Sequence, residues 1–418
     1  MSPSGAPRVV VAAGARTPFA KAGTAFRDRT ALELAVHAVD GVLEKFSVDP
    51  RTVDALYFGI VVADPRRPQF AREVCFGSRL PAAVRAVTLV DNCITGLSAV
   101  SALLCAIRDG RAALGIAGGA ESMSNPAILF RPRASRLFVD LANAKSLGQR
   151  LALALRLRPR DFLPSPPAIA EPSTGLTMGE HCELMVKEWK IPREDQDRIA
   201  FLSHRRAHAA TDDGRLGREI HPLDGVDRDP LIRPDTSLEG LAALKPIFDR
   251  SPAGTITAGS SSPLTDGAAA VVLCTDAEAE RRGLEPLACI RDMEFAAIDP
   301  KDGLLMGPAV AVPRLLERNG LALSDMDIVE VHEAFGGQVA CNLKAWAEGW
   351  KEAAIGEVDT GKLNPLGSSI AVGHPFAATG ARIMTTLANQ MRRQHARYGL
   401  ISICGAGATA GAVIMERA

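Results

Sequence analysis

Thr88-Leu89-Val90-Asp91-Asn92-Cys93-Ile94-Thr95-Gly96 carries a short apolar run into a polar turn and out into a helix. Leu97, Val100, Leu104 and Ile107 follow at three- and four-residue steps, the spacing of one buried helical face. Residues 112–119 form a second apolar stretch and close the unit on Gly118-Gly119. The same order returns near the end of the chain. Residues 370–372 lead into Gly373-His374-Pro375, and Thr379-Gly380 opens a helix through Met384, Leu387 and Met391. Residues 398–403 then run into another glycine-rich turn. Gly96 to Gly119 spans 23 residues and Gly380 to Gly405 spans 25. Two β/α units of matching order and length predict an α/β fold whose two similar halves pack together.

Outward from these units the pattern continues. Residues 8–13 and 55–62 read as strands of the first half, with a helix at 31–46 between them, and residues 326–331 read as a strand of the second. Residues 126–166 hold eight Arg or Lys against two Asp, and Pro164-Ser165-Pro166-Pro167 breaks any helix there. A long polar helical stretch at 179–210 and a region rich in Asp, Pro and Arg at 220–248 complete an insert. The chain returns to the first half through a Gly/Ser turn and the buried strand 268–274. The expected division is 1–122 with 251–283, an inserted loop domain at 123–250, and 284–418.

Composition removes several function classes. Forty-eight basic residues balance 48 acidic ones, so no global field draws in nucleic acid or an anionic membrane. Aromatic residues make up 5%, thin material for base stacking. No apolar run reaches the length of a membrane span, and residues 9–13 are too short for a secretory core, so a cytoplasmic globular protein is expected. Eight scattered cysteines include no C-x-x-C pair, which argues for free thiols rather than a zinc knuckle or disulfide framework. Gly356–Leu363 is Walker-like but lacks the terminal hydroxyl, and His332-Glu333-Ala334-Phe335-Gly336 lacks the second His of a zinc-protease helix. Gly405-Ala406-Gly407 lacks the spacing of a dinucleotide loop. No metal is expected.

Cys93 stands where a strand meets a helix N-terminus, a place that favours an anion and predicts a lowered thiol pKa. His374 holds the mirror position, at what reads as the same strand-to-helix turn. A nucleophile and a general base at related positions would face each other across the junction of the halves. Cys404 ends the final strand unit and His332 the preceding one. All four are expected at C-terminal strand ends, where open α/β sheets place their chemistry.

These stretches carry a resemblance. Asn92-Cys93-Ile94-Thr95-Gly96, His332-Glu333-Ala334-Phe335, Gly373-His374-Pro375 and Cys404-Gly405-Ala406-Gly407 resemble the four active-site loops of thiolases. Gly118–Ser124, Thr257–Ser262, Asp266–Ala270 and the opening Arg16-Thr17-Pro18-Phe19 also fit, in order, over nearly the whole chain. His332, Pro263-Leu264-Thr265-Asp266 and the basic insert look most like the thiolase subunit of fatty-acid oxidation complexes. Three positions depart from the commonest pattern: His332 where many members have Asn, Ser260 where Asn is usual, and Ala406 where Gly is usual.

The resemblance implies a layered αβαβα thiolase-like fold with two βαβ-rich halves and an inserted loop domain. It implies thiolytic cleavage of a 3-oxoacyl-CoA by coenzyme A through an acyl group on Cys93. His374 would be the base and Cys404 the acid. One oxyanion pocket would come from the backbone N–H groups of Cys93 and Ala406, the other from His374 with a water held by His332. Ser262 and Met178 would meet the pantetheine arm of CoA, which is substrate rather than bound cofactor. Implied partners are CoA thioesters, a second copy in a homodimer or dimer of dimers, and a hydratase–dehydrogenase subunit. The alternatives are a biosynthetic acetoacetyl-CoA thiolase and an inactive acyl-CoA-binding scaffold. Residues 126–166, read as one amphipathic basic helix with Leu137, Leu141, Ala144, Leu151 and Leu155 on one face, are expected either to dock at a membrane or partner or to cover the chain's own CoA cleft.

Overall fold

The computed structural model describes residues 7–165 and 170–418; Pro166 and Pro167 of the expected helix-breaking string lie outside the described residues. Twelve strands are described. They are β1 (Val9–Arg16), β2 (Ala20–Lys21), β3 (Ala55–Gly59), β4 (Arg85–Leu89), β5 (Leu114–Glu121) and β6 (Leu129–Phe130), followed by β7 (Pro164–Ser165), β8 (Thr265–Thr275), β9 (Ala288–Ala297), β10 (Ile328–Val331), β11 (Tyr398–Gly405) and β12 (Thr409–Glu416).

The main sheet runs β10-β11-β12-β9-β1-β8-β5-β3-β4. From the middle outward its two arms repeat. In the first, β1 and β8 are antiparallel, β8 and β5 antiparallel, and β5 and β3 parallel. In the second, β9 and β12 are antiparallel, β12 and β11 antiparallel, and β11 and β10 parallel. Within the sheet the arms join through Val10↔Cys289 and Val11↔Ala288. Every strand of both arms except β4 and part of β9 is buried on both faces, which is why these runs are apolar without alternation.

Side-chain parity sorts the strands into layers. Val9 and Val11 of β1 face a central core, while Val10 and Ala12 face an outer one with helix Ala31–Lys45. Ile401 and Ile403 of β11 face the same central core, and Leu400 faces an outer core with helices Pro308–Asn319 and Gly336–Glu348. The central layer consists of helices Thr95–Arg108 and Thr379–Gln394, the two expected from the repeat. They meet almost backbone to backbone. A Cβ on Gly380 would lie 2.5 Å from the Leu97 nitrogen, and one on Gly96 would lie 2.9 Å from Ala377 O. Only glycine fits either place.

Two expectations need correction. The stretch before His374 is a helical turn, Ser369–Val372, so β4 has no full counterpart in the second arm. All that remains there is the single parallel bridge Val329↔Leu363. The insert is also not one helix. It is a hairpin of Pro132–Asn143 and Leu147–Ala154, closed by β6 and β7, with Ala144 and Leu155 just outside the helices. Ser146 breaks the run because its hydroxyl caps the second helix, accepting from Gln149 N–H at 3.2 Å.

Candidate active site

Cys93 lies in the single turn Asn92–Ile94, which runs from β4 directly into helix Thr95–Arg108. Thr95 holds the turn closed: its hydroxyl donates to Asn92 O at 2.7 Å and accepts from Asp91 N–H at 2.7 Å. Asn92 takes a left-handed φ of 46°, a conformation Asn tolerates better than most residues. Its side-chain amide donates to Ala406 O at 2.9 Å, tying the nucleophile turn to the loop after Cys404. The backbone N–H groups of Ala406 and of Cys93 itself both point at the Cys93 sulfur. Two amides converging beside a nucleophile are suited to a developing oxyanion. The Ala406 methyl costs nothing here, since positive φ in this loop falls on Gly407 and Ala408.

His374 Nε2 stands 3.2 Å from Cys93 Sγ. Its Nδ1 is 2.6 Å from Thr379 Oγ1, and that hydroxyl gives its one hydrogen to Pro375 O at 2.9 Å. Thr379 must therefore accept from Nδ1–H, which leaves Nε2 unprotonated toward the thiol. His332 is arranged the other way. Its ring centroid is 4.1 Å from that of His374, and its Nδ1 is 2.8 Å from Ser369 Oγ. Ser369 accepts from Arg382 Nη2 at 2.8 Å, and among the described residues its hydrogen has no acceptor but Nδ1, so it goes there and Nε2 carries the proton. That Nε2 is buried without a partner. One imidazole offers an acceptor and its neighbour a donor.

The thiol is not lowered as its helix-end position predicts. Burial pushes Cys93 up to about 12, opposed by the Ala406 amide and raised further by the Glu121 charge. A helix end is worth at most about 1 kcal/mol at most sites, under one pKa unit, while burial shifts a group by several. Burial also pushes His374 down to about 3, with Arg382 adding to it. The resting pair is neutral thiol and neutral imidazole, and the proton moves only as sulfur attacks. Cys93 is therefore expected to show no thiolate absorbance from pH 6 to 9, read as the ultraviolet difference between the wild-type chain and Cys93→Ala. Thiolate absorbance already present at pH 6 would mean a pre-formed thiolate–imidazolium pair.

Cys404 sits in β11, 1% exposed, and burial together with nearby Cys93 raises its thiol well above the ordinary value. One of the four groups departs from the expected strand ends: His374 follows a helical turn rather than a strand, while Cys404 is the penultimate residue of β11. Ser262 donates its backbone N–H to Ala334 O at 2.9 Å, which sets it beside the His332 loop. Met178 opens helix Met178–Glu188 and packs on the outer core of the second arm.

Several residues that hold the site in place were not singled out from the sequence. Glu333 accepts from Asn364 Nδ2 at 2.7 Å, Ser203 Oγ at 2.6 Å and Ile370 N–H at 3.3 Å, and so fixes the turn carrying Ser369. Glu121 accepts from the N–H groups of Val61, Val62 and Ala377, joining the first arm to the His374 loop, and burial raises it to about 7. Ser369 and Thr379 stand five residues before and after His374, a flanking pair of hydroxyls that was legible in the sequence. Cys93, His332 and His374 have donor atoms within 4.8 Å of one another, spacing that could hold a metal ion. The Ser369-imposed tautomer, which puts a proton on His332 Nε2, opposes that use.

Family descriptions match nearly the whole chain: the thiolase N-terminal domain over residues 9–277 and the thiolase C-terminal domain over residues 284–417. The 3-ketoacyl-CoA thiolases of Colwellia psychrerythraea and Aeromonas salmonicida are each 42% identical over 98% of this chain and 97% of their own. Among solved structures, human mitochondrial 3-ketoacyl-CoA thiolase superposes with a TM-score of 0.84 at 29% identity, over 98% of this chain and 99% of that one. The same human enzyme has been solved in complex with CoA. A Bacillus anthracis acetyl-CoA acetyltransferase superposes at 0.86 and 29%, with 98% and 99% covered.

Proposed function

The chain belongs to the thiolase family, and on that premise we propose how Cys93, His374, Cys404 and His332 divide the work of cleaving a 3-oxoacyl-CoA. The reaction is thiolytic: coenzyme A enters, and acetyl-CoA and an acyl-CoA two carbons shorter leave, as in fatty-acid degradation. The observation that carries the reading is the 3.2 Å contact from His374 Nε2 to Cys93 Sγ, in the tautomer that accepts the thiol proton. His374 takes that proton while the sulfur attacks the 3-oxo carbon, and the new oxyanion meets the N–H groups of Cys93 and Ala406. The C2–C3 bond then breaks. The acetyl-CoA enolate takes a proton at C2 from Cys404, with its oxygen held by His374 and by His332, directly or through a water. Incoming CoA returns a proton to the Cys404 thiolate, its sulfur attacks the acyl thioester, and Cys93 leaves with the proton from His374.

A resident cofactor has no step to perform in this scheme. Ser262 and Met178 are assigned to the pantetheine arm. An inactive scaffold would have no need of two opposite imidazole tautomers. The direct test follows loss of 3-oxoacyl-CoA absorbance on adding CoA, across acyl chains of four to sixteen carbons. No CoA-dependent loss at any length would refute the activity.

His332 acts through its N–H. His332→Asn keeps a donor and is expected to retain measurable turnover, whereas His332→Ala is expected to lose roughly 10²-fold or more in kcat. Equal damage from Asn and Ala would make His332 a proton carrier instead.

Among the described residues β4 pairs only with β3, leaving an open sheet edge beside exposed Val90 and Phe76. Next to it the Ser98, Ser101, Ala102 and Cys105 face of helix Thr95–Arg108 and Phe295 line a hollow of about 440 Å³. A second copy of this chain is assigned to that edge, giving a homodimer whose mass sedimentation would read. An enoyl-CoA hydratase/3-hydroxyacyl-CoA dehydrogenase subunit would be the source of substrate. Eight unpaired thiols suit a reducing compartment, and the cytoplasm is the one this reading names. No helix among the described residues is long and apolar enough to cross a membrane.

The hairpin in residues 126–165 is assigned to an anionic lipid surface. Leu147, Leu151 and Leu155, at four-residue steps, are 84%, 64% and 78% exposed, so they do not cover a cleft of this chain. Exposed Arg136, Lys145, Arg150 and Arg156 lie around them, each worth about 1 kcal/mol near such a surface. Salt-sensitive sedimentation with anionic vesicles is expected, and should vanish when Arg136, Arg150 and Arg156 become Glu. Retention of vesicle binding by that triple variant would exclude this face.

A further inference from the structure

Helix Thr379–Gln394 begins at the catalytic histidine loop and ends at a separate cavity of about 680 Å³. At 1.5 Å per residue, Arg393 stands about 20 Å along the axis from Thr379. Lys45, Arg215, Arg218, Arg392 and Arg393 line this cavity. Among the described residues only two of the five have a carboxylate partner, Arg215 with Asp213 and Arg392 with Glu285. Lys45 donates to Ile220 O at 3.0 Å, which leaves its charge unpaired.

Helix ends explain part of the cluster. Lys45 and Arg392-Arg393 close helices Ala31–Lys45 and Thr379–Gln394, and each C-terminus carries about half a negative charge. Two such ends and two carboxylates still leave about two positive charges uncompensated among five. The crowding is felt at Arg393, whose guanidinium is held below its ordinary value by burial and then by Arg215.

Phosphate alone would not need the rest of the cavity. Its floor is apolar, formed by buried Leu287 and Leu366 and half-buried Phe46. Gln390 also lines it. The Gln390 amide donates to Glu330 at 2.8 Å, and its oxygen is sealed off from solvent. Unpaired cations and an apolar patch lining one cavity of this volume are the complement of a polyphosphate joined to a flat base.

We propose that this cavity is a binding site for a nucleoside polyphosphate, with the phosphates on Arg218, Arg393 and Lys45 and the base over Phe46, Leu287 and Leu366. CoA shares that chemistry, so the test must separate this cavity from the catalytic cleft. Equilibrium dialysis of the full chain with ATP is expected to give one site per chain, weakened by salt. Arg218→Glu with Arg393→Glu should weaken ATP about tenfold or more, with kcat and the KM for CoA unchanged. Arg218→Gln, which reverses no charge, should weaken it by a smaller factor and serves if the double variant fails to fold. Inorganic tripolyphosphate should bind at least about fivefold more weakly than ATP, since it has no base to lay on the floor. Binding that CoA displaces and the arginine variants do not alter would place ATP in the cleft and overturn the proposal. So would tripolyphosphate binding as tight as ATP, or no saturable ATP binding at all.

Discussion

Cys93→Ala is expected to reduce thiolysis to background, a loss of at least about 10⁴-fold in kcat/KM. The scheme has no second route, because the amides of Cys93 and Ala406 converge on that sulfur and His374 Nε2 is placed to deprotonate it alone. Truncation at Cβ leaves both donors and the base in position with nothing to activate. The wild-type chain, given a 3-oxoacyl-CoA without CoA, should carry an acyl group on the peptide that contains Asn92-Cys93. Peptide mass mapping reads this directly. An acyl group on Cys404 would reverse the two assignments.

Cys404→Ala is expected to separate the two half-reactions. Breaking the C2–C3 bond creates a carbanion equivalent that needs a proton at carbon, and loss of a placed general acid costs about 10²–10⁴-fold. Exchange of labelled CoA into an acyl-CoA makes no carbanion. It needs Cys93 as nucleophile and His374 to carry one proton to and from the departing CoA thiol. The variant should therefore lose cleavage while keeping exchange within about tenfold of wild type. Equal loss of both rates would show that Cys404 supports the structure of the site rather than the protonation, since it packs at 1% exposure in the outer core of the second arm.

The reacting groups were legible in the sequence because each sits in a local string with a shape of its own. Asn92-Cys93 before a helical face, and Gly373-His374-Pro375 before another, report a turn that presents a side chain. The repeat of helix and strand around them gave the two arms, and β1-β8-β5-β3 and β9-β12-β11-β10 repeat one order in space. What failed to show was whatever depends on partners distant in the chain. The thiol's pKa follows burial, with the distant-in-sequence Glu121 charge raising it further, neither of which a helix-end rule counts. The tautomer of His332 is set by Arg382 through Ser369, a chain of contacts with no sequence pattern. Residues 370–372 are apolar enough for a strand, yet Glu333 and Ser203 hold the neighbouring backbone in a helical turn. The broken insert helix is a different failure. Ser146-Leu147-Gly148-Gln149 is a capping string, and the leucine periodicity that runs on through both sides of it masks the break.

The contact of Gly96 with Gly380 has a bearing on how this catalyst can vary. Each glycine lies within a few residues of one member of the reacting pair, Cys93 or His374, and the two main chains touch there with no side chain between them. The gap from sulfur to imidazole is thus gauged by backbone against backbone, like the fixed jaws of a caliper. Repacking of the leucines and methionines around the central helices can drift through many sequences while the gauge stays closed. One methyl group at either glycine would open it, and would move nucleophile and base apart together.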